Sequence, residues 1–381
     1  MKVLILSEKY PPEPGGVSVS THRLAHGLAS KKLQVWVSTM TTALPPGVIE
    51  ASKDQAVRVL RSGLFPRADD SGAVWFEHTL RLCLEEHIDL LHAIYLTQPA
   101  YVAVLAGHTL GLPSVISARG NDLERTAFDP AKFSQIAWAL QKASAVTAVT
   151  RDLQHKAQII GGREVALVPN SVDSGMFTPG EPDEALLCVI GVDSRPIIAF
   201  IGEARLKKGL TTLLPAFGQL SQQSSQPPVL LFIGGIRKDD NPVVQVYQKQ
   251  HPSADIRIIP HLPHDLLPPY YHLADVLVIP SLRDGLPNTL LEGMACAKAI
   301  VATRVGGMAD VLCQNGIEDG LLIPPGDTGA LTQAMDRLLN DGGLRRVLGQ
   351  AARKTIETHY TLEHELGRNL EVYRRVSPGQ T

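Results

Sequence analysis

The chain has 381 residues, 44% of them hydrophobic, with a formal net charge of −2 and a pI near 6.7. That length exceeds what one hydrophobic core serves and predicts two domains of roughly 150 to 200 residues. The near-neutral charge excludes a general nucleic-acid binder, which carries a basic excess.

No apolar run approaches the roughly 20 residues that cross a bilayer, and Met1-Lys2-Val3-Leu4-Ile5-Leu6-Ser7 is too short and polar-flanked for a signal peptide. Cys83, Cys188, Cys296 and Cys313 are widely spaced without a Cys-x-x-Cys pair, which suits reduced thiols, so a cytoplasmic chain is expected. From the N-terminus, short β-branched runs alternate with helical stretches. Strands are expected at 3–6, 35–38, 57–60, 90–93, 114–117, 146–149 and 165–168, with helices over 17–30, 73–86, 98–109, 130–142 and 151–160. A second series has strands at 197–201, 229–233, 256–259, 276–279, 299–302 and 321–323, and helices over 328–340, 343–358 and 361–375 close the chain. Two successive βα series predict an α/β protein of two doubly wound, Rossmann-like domains. The stretch Thr178-Pro179-Gly180-Glu181-Pro182-Asp183 reads as the boundary, which gives domains at 1–178 and 179–360 and a terminal segment, 361–381.

The first strand runs into Glu8-Lys9-Tyr10-Pro11-Pro12-Glu13-Pro14-Gly15-Gly16-Val17. Glycines let a ligand approach the backbone and leave N–H donors open at a helix start, so Gly15 and Gly16 are candidate contacts. The dinucleotide pattern Gly-x-Gly-x-x-Gly is absent there, which excludes a nicotinamide reading. His22 and His26 stand one helical turn apart but lack the glutamate of a zinc-protease motif, and His261 with His264 has no third ligand nearby in sequence. Both pairs read as solvated or core histidines, and no metal site is expected. Lys31-Lys32 with Arg23 is too small a basic group to require a membrane, yet leaves room for peripheral contact with the anionic inner face of one.

At the carboxyl end of the 114–117 strand stands Ala118-Arg119-Gly120-Asn121-Asp122, the edge where open α/β sheets bind ligands. An arginine cannot act as a base at neutral pH. Arg119 therefore either binds an anionic group of a ligand or bridges Asp122 or Glu124 within the fold. In the second series, Ile198-Ala199-Phe200-Ile201-Gly202-Glu203-Ala204-Arg205-Leu206-Lys207-Lys208-Gly209-Leu210 carries a buried strand through a basic turn into a helix. Arg205 and Lys208 can hold phosphate oxygens against the charge that grows as a diphosphate departs, or they are a solvated basic turn. Glu203 repels a diphosphate unless it pairs with Arg205 or Lys207. Finally, Pro280-Ser281-Leu282-Arg283-Asp284-Gly285-Leu286-Pro287-Asn288-Thr289-Leu290-Leu291-Glu292 places two carboxylates eight residues apart across a strand-to-helix turn. Both can face one pocket. The structural alternative makes Thr289-x-x-Glu292 a capping box and Asp284-Gly285 a plain turn.

This last stretch resembles the Glu-x7-Glu signature of the retaining glycosyltransferases of family 4, group 1, with Asp284 in the first acid's place and Glu292 in the second's. Ala299-Ile300-Val301-Ala302-Thr303-Arg304-Val305-Gly306-Gly307 and Gly320-Leu321-Leu322-Ile323-Pro324-Pro325-Gly326-Asp327 continue the pattern. Lys208-Gly209 matches the family's Lys-Gly pair, and Pro169-Asn170-Ser171-Val172-Asp173 is similar to its Pro-Asn-Gly-Val-Asp segment, with Ser171 for glycine. The resemblance spans nearly the whole chain and implies the glycosyltransferase B fold, two Rossmann-like domains facing a central cleft, with the C-terminal helix crossing back to the first domain.

By that resemblance the first domain takes the acceptor and the second a nucleotide-diphosphate sugar. Glu292 would bind the ribose hydroxyls, and Asp284 with Gly285, Leu286, Pro287, Asn288 and Thr289 would hold the transferred sugar. Gly15, Gly16 and Gly202 would approach the donor, Arg119, Asn121 and Asp122 would contact sugar or acceptor, and Arg205 and Lys208 would stabilise the leaving diphosphate. The chain departs from the family in carrying Glu203 where an arginine is common, with Arg205 two residues later, and Arg119 where many relatives have histidine. The implied reaction is retaining transfer to a hydroxyl of a glycan, a lipid-linked or a small-molecule acceptor, without metal or other cofactor, in keeping with the absence of an Asp-x-Asp triplet. A nucleotide-sugar epimerase of the same fold and a non-catalytic sugar-nucleotide-binding protein are the alternatives.

Overall fold

Two separate parallel sheets organise the computed structural model, which describes residues 1–192, 194–314 and 317–377. The first series comprises β1 (Lys2–Ser7), α1 (Gly16–Ser30), β2 (Gln34–Thr41), β3 (Ile49–Asp54), β4 (Val57–Gly63), α2 (Ala68–Glu86), β5 (Leu90–Ile94), α3 (Gln98–Leu110), β6 (Ser114–Ala118), α4 (Asn121–Glu124), α5 (Pro130–Lys142), β7 (Ala145–Ala148), α6 (Arg151–Gly161) and β8 (Ala166–Leu167). The second runs through α7 (Glu184–Ile190), β9 (Ile197–Ile201), α8 (Leu210–Gln223), β10 (Val229–Ile233), α9 (Asn241–Gln250), β11 (Ile256–Ile259), α10 (Pro268–Leu273), β12 (Val276–Ile279), α11 (Asn288–Ala295), β13 (Ala299–Thr303), α12 (Met308–Leu312), the short β14 (Cys313–Gln314) and β15 (Ile317–Glu318), β16 (Leu321–Ile323), α13 (Thr328–Asn340) and α14 (Gly342–His359). The last helix is α15 (Leu362–Val376).

The first sheet has the order β3-β4-β2-β1-β5-β6-β7-β8 and the second β11-β10-β9-β12-β13-β16. The connection order reverses between β1 and β5 in one and between β9 and β12 in the other, and at such switch points the loops after the strands part to leave a crevice. Central strands such as Val3-Leu4-Ile5-Leu6 and Val276-Leu277-Val278 are buried on both faces, as expected where helices cover a parallel sheet. Only β3 runs antiparallel to its neighbour in the first sheet, at the edge. Its sequence, Ile49-Glu50-Ala51-Ser52-Lys53-Asp54, is polar enough to hide it from a hydrophobicity reading and suits an exposed edge.

The chain divides into Met1–Asn170 with the segment from Leu362, and Ser171–Thr361. The first division thus falls between Asn170 and Ser171 rather than after residue 178. Residues 171–178 side with the second unit because Val172 bridges to Thr361, Phe177 packs its buried ring edge-on to Tyr271, and Arg353 donates to the carbonyls of Ser174 and Phe177. The Pro- and Gly-rich stretch at 178–183 is a surface loop inside that unit.

Helix α15 packs on the first unit. Leu366 lies against Gly27 of α1, where a β-carbon would stand 2.9 Å from a Leu366 methyl, and Leu366, Val372 and Tyr373 join the core formed by β1, β2, β4 and β5. Arg23 pairs with the buried Glu365 at 3.0 Å and Lys31 with Glu363 at 2.6 Å. Two of the three charges considered for a membrane surface are therefore paired with α15. Residues 378–381 of the expected terminal segment lie outside the described residues. Among the described residues, no helix is long and apolar enough to cross a membrane.

Candidate functional site

In the second unit, the loops that follow β9 and β12 meet at the switch point. Arg205 precedes a 3₁₀ turn over Leu206–Lys208, and Gly209, with φ 85°, ends it. A β-carbon on Gly209 would stand 1.9 Å from the Pro280 carbonyl oxygen, so only glycine lets the turn close on the β12 loop. Leu282 N–H then donates to the Lys207 carbonyl at 2.9 Å. Gly306, with φ 54°, is pressed likewise against the carbonyls of Asp284 and Gly285, and Gly307 N–H donates to the Gly285 carbonyl at 2.8 Å. The glycines of two sequence-distant segments thus clamp the Asp284 loop from both sides.

This packing puts the Lys208 ammonium directly on Oδ2 of Asp284, which also accepts from the Ser281 hydroxyl at 3.3 Å. Burial pushes the Asp284 carboxyl up, but the Lys208 charge and hydrogen bond, then Lys207 and Ser281, outweigh it and hold the carboxyl below its usual value. Gly202 ends β9 with φ 115° and faces the methyl of Thr289 in the first turn of α11. Leu286 and Pro287 are buried, Gly285 with them, and Pro287 occupies the position before α11. Asn288 and Thr289 are half-buried at the helix start, which has no side-chain cap. The capping-box alternative is therefore not what Glu292 does.

Glu292 is buried, and its two oxygens are taken separately: Oε1 lies 2.8 Å from Nε2 of His264, and Oε2 accepts from the Tyr271 hydroxyl at 2.6 Å. Burial, then the Glu292 charge, push the Tyr271 phenol well above its ordinary value, so it remains a donor. Neither partner was singled out from sequence, where His264 read as a solvated or core histidine. Gly234 and Gly235 were also missed. Both have positive φ, both donate to the Ile259 carbonyl, and a β-carbon on Gly234 would stand 2.8 Å from the Gly202 carbonyl carbon. The Gly-Gly pair directly after the β10 run was the available signal. Arg205 is half-buried, its Nε 3.7 Å from Glu203 and without a hydrogen-bond partner. Glu203 thus offers the pairing that the sequence required of it, loosely.

In the first unit, Gly15 has φ 131° and precedes α1, whose start lacks a side-chain cap, and Gly15 and Gly16 are exposed. Arg119 is half-buried. Its Nη1 donates to Asn170 at 2.7 Å, and its backbone N–H donates to the Asp122 carboxylate at 2.9 Å. Burial pulls its guanidinium below the ordinary value, partly restored by the charge of Glu365.

Asp122, expected at the sugar or acceptor, is engaged within the fold in this structure. It is fully buried, and its carboxylate accepts the backbone N–H groups of Leu96, Arg119, Gly120 and Leu123, which exhausts it in shaping the turn after β6. Asn121 is exposed beside it and bonds to Tyr95. Tyr95 was not predicted. It follows β5 with φ 98°, a conformation that a bulky residue holds only where its surroundings force it.

The family model for group 1 glycosyl transferases matches residues 190–355, and that for glycosyltransferase family 4 matches residues 14–175. The chain is 28% identical to α-maltose-1-phosphate synthase of Mycolicibacterium smegmatis, over 99% of this chain and 100% of that one. It is 27% identical to D-inositol 3-phosphate glycosyltransferase 1 of Catenulispora acidiphila, over 96% and 92%. Among solved structures, sucrose-phosphate synthase of Thermosynechococcus elongatus superposes with a TM-score of 0.81 at 20% identity, covering 98% of each chain. HepE of Anabaena in complex with UDP-glucose gives 0.78 at 17%, covering 99% of each. These likenesses give the glycosyltransferase B fold, and with the two family models they identify the enzyme: the chain belongs to the group 1, family 4 glycosyltransferases.

Proposed function

We propose that this glycosyltransferase moves a sugar from a nucleotide-diphosphate donor to a hydroxyl acceptor with retention of anomeric configuration and without a metal ion. The observation that carries the reading is the Lys208–Asp284 pair at the β9–β12 switch point, one helix start away from Glu292. A nucleotide sugar needs cationic donors for its diphosphate and acceptors for its hydroxyls, side by side. Lys208, with Arg205 on the same turn, supplies the first, and Asp284 and Glu292 supply the second. A donor phosphate recruits the Lys208 ammonium and releases Asp284 to a sugar hydroxyl. Charge that grows on the leaving diphosphate meets a cation already held in place, the preorganisation that makes such contacts effective. A front-face substitution, in which a donor phosphate oxygen takes the acceptor proton, accounts for retention without a protein base.

Support for a nucleotide sugar also comes from HepE of Anabaena, solved with UDP and with UDP-glucose. The first unit, with Gly15, Gly16, Arg119 and Asn121, is assigned to the acceptor, a glycan, lipid-linked or small-molecule hydroxyl compound. Arg119 favours an acceptor with an anionic group, and the names of the two relatives, a maltose 1-phosphate synthase and an inositol 3-phosphate glycosyltransferase, run in that direction.

The test is a thermal-shift screen against UDP, GDP and ADP sugars. It is followed by mass spectrometry of the best donor with an acceptor panel and by NMR of the anomeric linkage. An α-donor giving an α-product supports the proposal, and an inverted product overturns retention. Donor conversion without acceptor would indicate epimerisation, and binding without any turnover a non-catalytic protein.

A further inference from the structure

The N-terminal unit carries a second cluster, outside the residues assigned to donor and acceptor. His22 and His26 stand one turn apart on α1, with tilted rings 4.1 Å between centroids. Asp54, the last residue of β3, reaches both: its Oδ2 lies 3.3 Å from Nε2 of His22 and 3.0 Å from Nε2 of His26. One donor atom from each residue lies within 4.8 Å of the others, and all three side chains are half-buried. The Tyr10 hydroxyl donates to the same carboxylate oxygen at 2.7 Å and packs its ring 5.7 Å from that of His22.

We propose that His22, His26 and Asp54 form a binding site for a divalent transition-metal ion of the zinc class, with a water molecule completing the shell. A tetrahedral zinc with bonds of about 2.0 to 2.1 Å separates its ligand atoms by about 3.3 Å, against separations of 3.3 and 3.0 Å from Oδ2 to the two imidazole nitrogens. Two imidazoles and a carboxylate are the ligand types that select zinc, copper or nickel over magnesium or calcium. The Tyr10 hydroxyl, 2.7 Å from the same Oδ2 and 3.4 Å from Nε2 of His26, fixes the carboxylate oxygen beside the ligand atoms, as residues around metal ligands commonly do. Arg61, whose guanidinium lies 6.0 Å from the centre of the Tyr10 ring, donates to Ser52 and to the Pro11 carbonyl.

The ion would be structural. It ties α1 and the edge hairpin β3–β4 together, while Tyr10 draws in the loop that leads to Gly15. The sequence contains the His pair but not the third ligand, since Asp54 is 28 residues from His26 and comes from the strand that hydrophobicity does not reveal.

The test uses full-length protein freed of metal by chelation and dialysis, titrated with Zn²⁺ by calorimetry and with Co²⁺ by visible absorption. Expected are one equivalent of saturable Zn²⁺ binding, the visible bands of low-symmetry four-coordinate Co²⁺, a raised unfolding temperature with Zn²⁺, and no saturation with Mg²⁺. Tyr10→Phe should weaken binding roughly tenfold, and the double variant His22→Gln/His26→Gln should lose it. The proposal is overturned by the absence of a saturable equivalent, by equal saturation with Mg²⁺, or by unchanged affinity in the double variant. Should that variant fail to match the parent by circular dichroism, His22→Gln alone, at a half-exposed position, carries the same decision.

Discussion

Lys208 and Asp284 satisfy one another: the ammonium sits on the carboxylate, across a turn that Gly209 alone can close. Sequence reading gave them separate duties, one to the diphosphate and one to the sugar. With the duties proposed for them, a bound donor has to divide the pair.

Lys208→Ala should lower turnover by about 10² or more and cost about 2 kcal/mol of stability, because Asp284 is left largely buried without its cation. The double variant with Asp284→Asn should recover much of the stability but none of the activity. Denaturant unfolding and steady-state kinetics on the four proteins of the cycle check this. Additive stability losses would dissolve the pair, and unchanged turnover would remove Lys208 from the site.

Glu292→Ala should weaken nucleoside diphosphate binding about ten- to a hundredfold, the scale of one or two hydrogen bonds to a charged group. Tyr271→Phe should leave that affinity within about threefold, since only an internal donor is lost, while lowering stability by roughly 1.5 to 3 kcal/mol. Calorimetric titration and thermal unfolding separate the two effects. Equal affinity for Glu292→Ala and parent would end the ribose assignment.

Gly209→Ala should cost about 2 to 4 kcal/mol and activity with it, through overpacking against Pro280 and a left-handed backbone. Gly162→Ala is the control. It has φ 63° but nothing within 4 Å of the added carbon, so only the backbone penalty of about 1 kcal/mol applies. Similar losses in the two variants would show that the close approach to Pro280 is not what demands glycine.

His92 is buried between Tyr373 of α15, at 2.6 Å from Nδ1, and Ser117, at 2.8 Å from Nε2. Burial first, then the Arg119 charge, push it down from 6.5 to about 3. The folded state thus keeps His92 neutral while the unfolded chain protonates below its ordinary value. Its stabilisation is complete above pH 6.5 and lost as pH falls toward 3, at up to about 1.4 kcal/mol per pH unit. His92→Gln should flatten the acid limb of the stability profile measured by denaturant unfolding. Parallel limbs for variant and parent would show that His92 does not carry it.

Much of the fold was readable because buried parallel strands write themselves as continuous apolar runs: Ile197–Ile201, Val229–Ile233 and Val276–Ile279 stand where expected. The edge strand β3 was not readable, because half its side chains face water. Within the site, the Asp284 to Glu292 stretch and the basic turn were visible as motifs. The partners of Asp122 were not readable, since a carboxylate that accepts four backbone N–H groups looks in sequence like one that accepts none.

The sequence by itself determined the two βα series, the family pattern and the residue types available for a diphosphate and for hydroxyls. These are local properties, periodicity and spacing, which a chain carries before it folds. Only the tertiary structure decided who meets whom: Lys208 with Asp284, Glu292 with His264 and Tyr271, and Asp54 with His22 and His26. Such partnerships depend on strand order and on the close backbone approaches that glycines permit, and sheet order brings together residues whose separation along the chain carries no trace of the contact.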